Sequence, residues 1–402
     1  MNRDRLLLAA TAIALGAASG AIASVTYLAM ILLQEAIWSR AFDLRWLILP
    51  ITALGGVLIG LTRLKSSGSA LEAQIAQARR PERTHLRETF WVAVGAIIAV
   101  GFGGAIGPEA GVIAVTTQLS AFVAVRLGRT ATERGMLAGA GVSGALAGTY
   151  GSPAGGPVHA EREGDIPRVI IFASGIAGFA AFVLVAETLR PGVLVLMRLP
   201  RLDAETGAWD TLIALFPAAA GATVGGLYLV LRQRLSKMLD RHFAVPIWQP
   251  VAGGIALGLI CTVSPLLLFS GHGEIRDVLA IGLEQGPAPL ILLAAGKALA
   301  CAVCVAAGWR GGVVFPMCFA GAALGAATLF VLPGADPVLG VAAGMASAAA
   351  VGMARPLVAG LVMLFILGGG LAVPVFVGTL VGWGVLRLLP VSLREGATAH
   401  GG

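Results

Sequence analysis

Residues 101–111 read G-F-G-G-A-I-G-P-E-A-G and lie between two apolar runs, 90–100 and 112–125. Five glycines and a proline interrupt the apolar sequence here. At membrane depth, irregular backbone is tolerated only where it is buried in protein or lines a watery cavity. Pro108 reads as the first position of a new helix and Glu109 as part of its first turn. A helix that starts inside a membrane aims its unpaired N–H groups at whatever lies ahead. Those groups carry roughly half a positive charge. The stretch therefore predicts part of an anion site.

The rest of the chain supports membrane depth. Of its 402 residues, 57% are hydrophobic and 12% charged, against about 25% charged in a soluble domain. Mean hydropathy is +0.88. At about 20 residues per span, loops included, there is room for roughly ten to fourteen helical segments. The net charge of +7 fits basic cytoplasmic loops that orient a membrane protein, and nucleic-acid binding is set aside. Cys261, Cys301, Cys304 and Cys318 all fall in apolar segments. They read as small core residues, so no metal or cofactor is expected. Arg3 and Arg5 precede an apolar run too long for a signal peptide, which predicts an uncleaved first span with its N-terminus inside.

Elsewhere in the first half, spans are expected at 6–37, 46–61 and 169–189, with a charged cytoplasmic loop at 74–88 between the second span and the opening stretch. A short small-residue helix, 135–148, runs into a break at Y-G-S-P-A-G-G-P, 150–157. The polar link 190–210, with Pro191 and Pro200, is the expected boundary between two halves, 1–200 and 201–402. The second half reads as spans 211–231, 247–269, 289–307 and 371–389. Between them come a polar G-H-G-E knot at 271–274 and a break at G-W-R-G-G-V-V-F-P, 308–316. An apolar helix at 317–332, a small-residue helix at 339–351, a second break at M-A-R-P, 353–356, and an apolar segment at 357–367 follow. G-G-A-I-G-P in the first half echoes G-G-V-V-F-P in the second. Paired broken segments in corresponding positions point to an inverted-repeat transporter with its site at the repeat interface.

At these residues the chain resembles the CLC family of chloride channels and proton-coupled chloride transporters. The most specific match is residues 308–325, G-W-R-G-G-V-V-F-P-M-C-F-A-G-A-A-L-G, which is similar to an element whose backbone amides contact the central anion. S-P-A-G-G at 152–156 and A-R-P-L-V-A-G at 354–360 are similar to the family's paired later breaks, and Lys297 also fits its pattern. Ser66-Ser67-Gly68 resembles the motif that supplies a serine hydroxyl to the anion. The order of motifs covers nearly the whole chain and leaves no room for the cytoplasmic nucleotide-binding domains of many relatives.

Three departures qualify the resemblance. The family's G-R-E-G-P places a gating glutamate just before G-P; here that position is Ile106, and Glu109 follows the proline. This is closer to a divergent bacterial branch of ion-transport proteins with G-P-E at this point. No tyrosine follows Tyr228, so the tyrosine of the last helix has no counterpart. Ser69-Ala70-Leu71-Glu72 replaces the expected Pro–Glu after the serine motif.

The resemblance implies an all-α, inverted-repeat membrane protein, a homodimer with one pore per subunit, in a bacterial inner membrane. Its expected cargo is an inorganic anion, chloride first. The implied anion ligands are Ser67 and Gly68, the amides of Ile106 and Gly107, and the amides of Val313, Val314 and Phe315. Amide donors solvate a weakly hydrated anion without holding it too tightly to leave. Glu109 reads as a gate and proton carrier, or else as a first-turn acid compensating the helix dipole. A fixed carboxylate in the path would repel anions, so it should be protonated, paired or movable. Glu163, or Glu161, falls near the family's inner proton-relay position. His272 and Glu274 read first as a polar loop and second as a proton path. With Ile106 in the gating position, uncoupled channel-like conduction is the first expectation; proton-coupled chloride or fluoride antiport through Glu109 is the alternative. A cation-driven solute transporter would want acids within the spans, which hold almost none. No H-E-x-x-H, G-x-D on a span or buried nucleophile–base pair supports an intramembrane enzyme.

Overall fold

In a computed structural model, residues 3–39, 45–65, 86–160, 168–193, 208–243, 245 and 247–394 are described, and they fold as helices. The first half holds α1 Arg3–Trp38, α2 Ile48–Arg63, α3 Leu86–Gly101, α4 Glu109–Leu127, α5 Ala131–Thr149, α6 Gly155–Ala160 and α7 Arg168–Leu189. A short α8, Ala208–Ile213, leads into α9 Leu215–His242 and α10 Trp248–Val263. Then come α11 Ile275–Gln285, α12 Pro287–Ala306, α13 Val314–Phe330, α14 Pro337–Gly352, α15 Pro356–Leu367 and α16 Ala372–Leu388. Among the described residues, six helical segments are long and apolar enough to cross a membrane. The shorter apolar helices α3, α4, α10, α13, α14 and α15 are mostly those that flank breaks. This is an integral, multi-pass, all-α membrane protein.

Local sequence explains where the broken helices start. Thr130 and Glu133 form a capping box at α5: the Glu133 N–H donates to Thr130 Oγ1 (3.2 Å), and the Thr130 N–H donates to Glu133 Oε2 (3.3 Å). At α14, Asp336 Oδ1 accepts the Val338 N–H (2.9 Å) and Pro337 takes the first helical position. Each satisfies donors that a helix start would otherwise leave bare.

The two halves pack alike. α1 crosses α5 and α7, while α9 crosses α14 and α16. Glycines stand at both crossings: Gly16, Gly144 and Gly178 in the first, Gly221, Gly344 and Gly378 in the second, each with a neighbour's backbone where a side chain would go. Small residues allow this approach where lipid gives no hydrophobic drive between helices. Across the halves, α2 lies along α10 and α6 against α15.

Three features differ from the sequence reading. The span expected at 247–269 ends at Val263, because Ser264 turns extended and Pro265 opens a short 3-10 turn. The chain then dips inward as a loop. The 11-residue helix α11, closed by Gly286 at φ 78°, follows where only the polar knot was read. The basic stretch 232–241 continues α9 rather than ending it.

Candidate functional site

The break after α3 and the break after α12 meet. The Gly107 N–H donates to Gly312 O (2.7 Å) and the Gly312 N–H donates to Gly107 O (3.1 Å), an isolated antiparallel bridge. It brings the starts of α4 and α13 together inside the protein. Each helix start leaves N–H groups without acceptors in its own helix. In α4 these are Glu109, Ala110 and Gly111, since Pro108 has no N–H and Val112 is the first to donate back, to Pro108 O (3.4 Å). In α13 they are Val313, Val314 and Phe315, since Pro316 has none and Met317 donates to Val313 O (3.1 Å).

Each break is held from a different side. The first is fixed by Trp38 at the end of α1, whose Nε1–H donates to Gly101 O (2.9 Å), and by the Phe269 N–H donating to Gly103 O (3.3 Å). The other is fixed by Trp309, whose Nε1–H donates to Pro250 O (3.1 Å), and by Arg63 donating to Ala307 O (3.4 Å).

Glu109 is wholly buried. Its carboxyl group lies against both bridge glycines, in the space that a methyl group on Gly107 or on Gly312 would fill. It faces its own amide and that of Gly312, yet neither oxygen reaches hydrogen-bonding geometry with a partner among the described residues. A carboxylate is itself a small oxyanion, so the protein's own acid stands where two helix starts converge. A charge left there unpaired is costly, which favours a group that neutralises or moves.

Outside the break lies a cavity of about 330 Å³, lined among others by Tyr27, Ile106, Pro108, Ser270, His272 and Glu274. Ile106 is buried and covers Gly311. Lys297, also wholly buried, donates from Nζ to Leu268 O (2.8 Å) and Phe269 O (3.2 Å), with its ammonium over the Phe319 ring (4.7 Å). Phe269 has a positive φ of 55°, rare outside glycine, so the lysine pins a strained turn of the cavity wall.

The structure thus gathers Ile106, Gly107, Glu109, Val313, Val314 and Phe315 into one place. Two of these residues have their amides engaged: Ile106 N–H donates to Gly104 O (2.8 Å) and Gly107 N–H to Gly312 O. The donors left over on the first break are those of Glu109, Ala110 and Gly111, a turn later than the sequence reading placed them. Pro108 sits at the cap of α4, one position earlier than expected, with helical dihedrals (φ −74°, ψ −7°). Ser67, Gly68, Glu161 and Glu163 lie outside the described residues. Tyr27 and Ser270 join the cavity from elements that no motif marked. Among the described residues no group of His, Cys, Asp and Glu is placed to hold a metal.

Broken apolar helices that meet head to head around a buried bridge define an ion-translocating membrane protein. The chain belongs to the family whose model is described as voltage gated chloride channel, which matches residues 51–387. It is 28% identical over 347 residues to the "Putative ion-transport protein YfeO" of Salmonella schwarzengrund (strain CVM19633), covering 80% of each chain. The protein of the same name from Salmonella choleraesuis (strain SC-B67) matches equally well. Among solved structures, a slow cyanobacterial Cl−/H+ antiporter superposes with a TM-score of 0.83 at 17% identity, covering 99% of both chains. A CLC-type fluoride/proton antiporter gives 0.75 at 17% identity, covering 96% of this chain and 99% of that one. The family moves ions and is not one of enzymes.

Proposed function

We propose that this chain exchanges an inorganic anion, chloride in the first instance, for protons, and that Glu109 is both gate and proton carrier. One observation carries the reading: the Glu109 carboxyl occupies the space beside Gly107 and Gly312 where the starts of α4 and α13 converge. An anion entering there must displace it, and protonation removes the charge that opposes the anion. The amides of Val313, Val314 and Phe315, with those of Glu109, Ala110 and Gly111, are the donors that receive the anion. Ser67 and Gly68 would add donors from the inner side, and Glu163 would receive the proton there. The uncoupled reading drawn from Ile106 weakens in this light, because the carboxyl missing at that position is supplied three residues later. That the two similar structures are of a Cl−/H+ antiporter and a fluoride/proton antiporter agrees with this.

The same proposal takes 1–200 and 201–402 as the two half-repeats and a homodimer in a bacterial inner membrane as the working assembly. The exposed apolar face of α15 and α16, with Leu357, Leu364, Phe376 and Trp383, would suit a second copy.

The test is efflux from chloride-loaded liposomes with external pH recorded and valinomycin added or withheld. Proton movement driven uphill by the chloride gradient is expected. Chloride efflux that needs valinomycin and moves no protons would replace exchange with channel conduction. Flux of fluoride without chloride would keep the mechanism and change the cargo.

A further inference from the structure

Glu109 has no exposed surface and does not line the outer cavity, from which Ile106 and Pro108 separate it. Taking the N-terminus as inside, as its basic residues predict, the end of α1 that lines this cavity lies outside, and a proton arriving there needs other groups to carry it the last distance. The cavity wall supplies them. His272 Nδ1 lies 2.6 Å from Ser270 Oγ, and its Nε2 lies 3.5 Å from Tyr27 Oη. The imidazole ring packs on Phe315, 5.3 Å between centroids, so it touches a residue whose amide is one of the proposed anion donors. Tyr27 shares a buried cluster with Val112, three residues along α4 from Glu109.

We propose that His272 is the outer proton-loading residue of this protein and that Tyr27 passes the proton on to Glu109. This rests on Glu109 being the gate. In the step, a proton from cavity water binds the imidazole. The Nε2 proton passes to Tyr27 Oη as the phenol's own proton moves inward to the Glu109 carboxylate. The imidazole returns to neutral, the phenol is re-formed and the carboxylate becomes the acid; only O–H and N–H bonds change. The 3.5 Å gap is at the outer limit of a hydrogen bond, and the adjoining cavity has room for a bridging water. Ser270 holds the ring so that Nε2 faces Tyr27.

The charges around the imidazole suit the role. Burial works against the protonated ring, as does Lys297 on α12, while Glu274 on its own loop favours it. Arg276 and Asp277 follow on α11, and Arg276 lines the cavity. Glu35 on α1 also lines it but is held by Arg190 in a two-pronged ion pair (2.7 and 3.0 Å). Glu109 on α4 is the acceptor at the far end. The ring thus stands between the Glu274 side chain and the buried Lys297, and burial favours its return to neutral once it has passed a proton on.

The test uses the full chain in chloride-loaded liposomes, following efflux while external pH is stepped at fixed internal pH, then the reverse. His272→Ala should slow activation by external acid by about a hundredfold, the usual size of a lost proton-transfer group, and leave the response to internal pH unchanged. Imidazole in the outer solution should restore it, more so for substituted imidazoles of higher basicity. Tyr27→Phe should slow it too, without imidazole rescue. If His272→Ala keeps the normal external response while Glu109→Gln loses it, the relay is wrong and the gate stands. If Glu109→Gln also keeps it, the reading of Glu109 itself fails. Equal losses on both sides of the membrane, with no imidazole rescue, would make His272 a packing residue and overturn the relay. Should His272→Ala fail to assemble, Tyr27→Phe, which removes one oxygen, decides alone: an unchanged external response overturns the relay.

Discussion

The two breaks that meet at the bridge of Gly107 and Gly312 are built on one plan but carry different ionisable groups, Glu109 in the first and Arg310 in the second. Both interrupt an apolar helix with glycines, both place a proline at or near the new helix start, and both donate one hydrogen bond to the other. The second break contains no acid. Its proline is the third residue of α13, which leaves Val313, Val314 and Phe315 as bare donors. The first break has its proline at the cap of α4, and the first helical residue after it is Glu109. Two symmetric donor sets would bind an anion and hold it equally from either side. A single carboxyl on one of them makes binding conditional on that group's charge and position. On the proposed reading, the donors come from the two similar breaks and the control from the acid that only the first of them carries.

Removing that asymmetry should have the largest effect. In Glu109→Gln the first break loses its only ionisable group. Two unit charges about 4 Å apart interact by about 4 kcal/mol at an effective dielectric near 20. Losing most of that repulsion should tighten chloride binding on the order of a hundredfold. It should also flatten the dependence of binding on pH. Calorimetric titration in detergent at several pH values measures both. Unchanged affinity with an unchanged pH response would return Glu109 to the role of a dipole partner.

A methyl group on one bridge glycine should come next. Neither Gly107 nor Gly312 has a positive φ, so alanine is acceptable to the backbone and the effect is one of space. Gly312→Ala should push the Glu109 carboxyl out of the break and raise chloride flux at high pH, where the acid otherwise blocks. In Glu109→Ala the carboxyl is absent, and the added methyl should matter little. The two changes should couple by about 0.5–3 kcal/mol in a double-mutant cycle on binding, as residues in contact do. Strict additivity would mean that the carboxyl does not rest on Gly312 in the membrane.

The first break was legible as a site because glycine and proline interrupt an apolar run there, and a membrane protein tolerates such an interruption only in its interior. The second was legible through its echo of the first, and the pairing of α4 with α13 followed from the repeat. The state of the Ile106 and Gly107 amides was not legible. Both are already used: the Ile106 N–H turns back to Gly104 O, and the Gly107 N–H is taken by Gly312, a partner that only the fold supplies. The loop after α10 was misread for a similar reason. Residues 264–269, S-P-L-L-L-F, are apolar enough to continue a span. Their carbonyls are needed by Lys297, 28 and 29 residues further on, and no local pattern carries that requirement. Tyr27 entered the cavity from the middle of a long uniform helix, where nothing in the spacing sets one aromatic apart.

The smallest expected effect concerns a donor outside both breaks. Ser67 is similar to a family residue that gives a hydroxyl to the anion, and it lies outside the described residues. If the two helix starts supply most of the binding, as the convergence of their free amides argues, one hydroxyl adds a single neutral hydrogen bond. Ser67→Ala should then weaken chloride binding by on the order of 1 kcal/mol, several-fold in affinity. The loss should be the same at every pH, since a hydroxyl does not titrate in this range and Glu109 is untouched. Calorimetric titration alongside Glu109→Gln separates the two roles. A Ser67→Ala loss much larger than this would mean that the inner donor, not the paired breaks, holds the anion. No loss at all would remove Ser67 from the site and leave the donors to α4 and α13 alone.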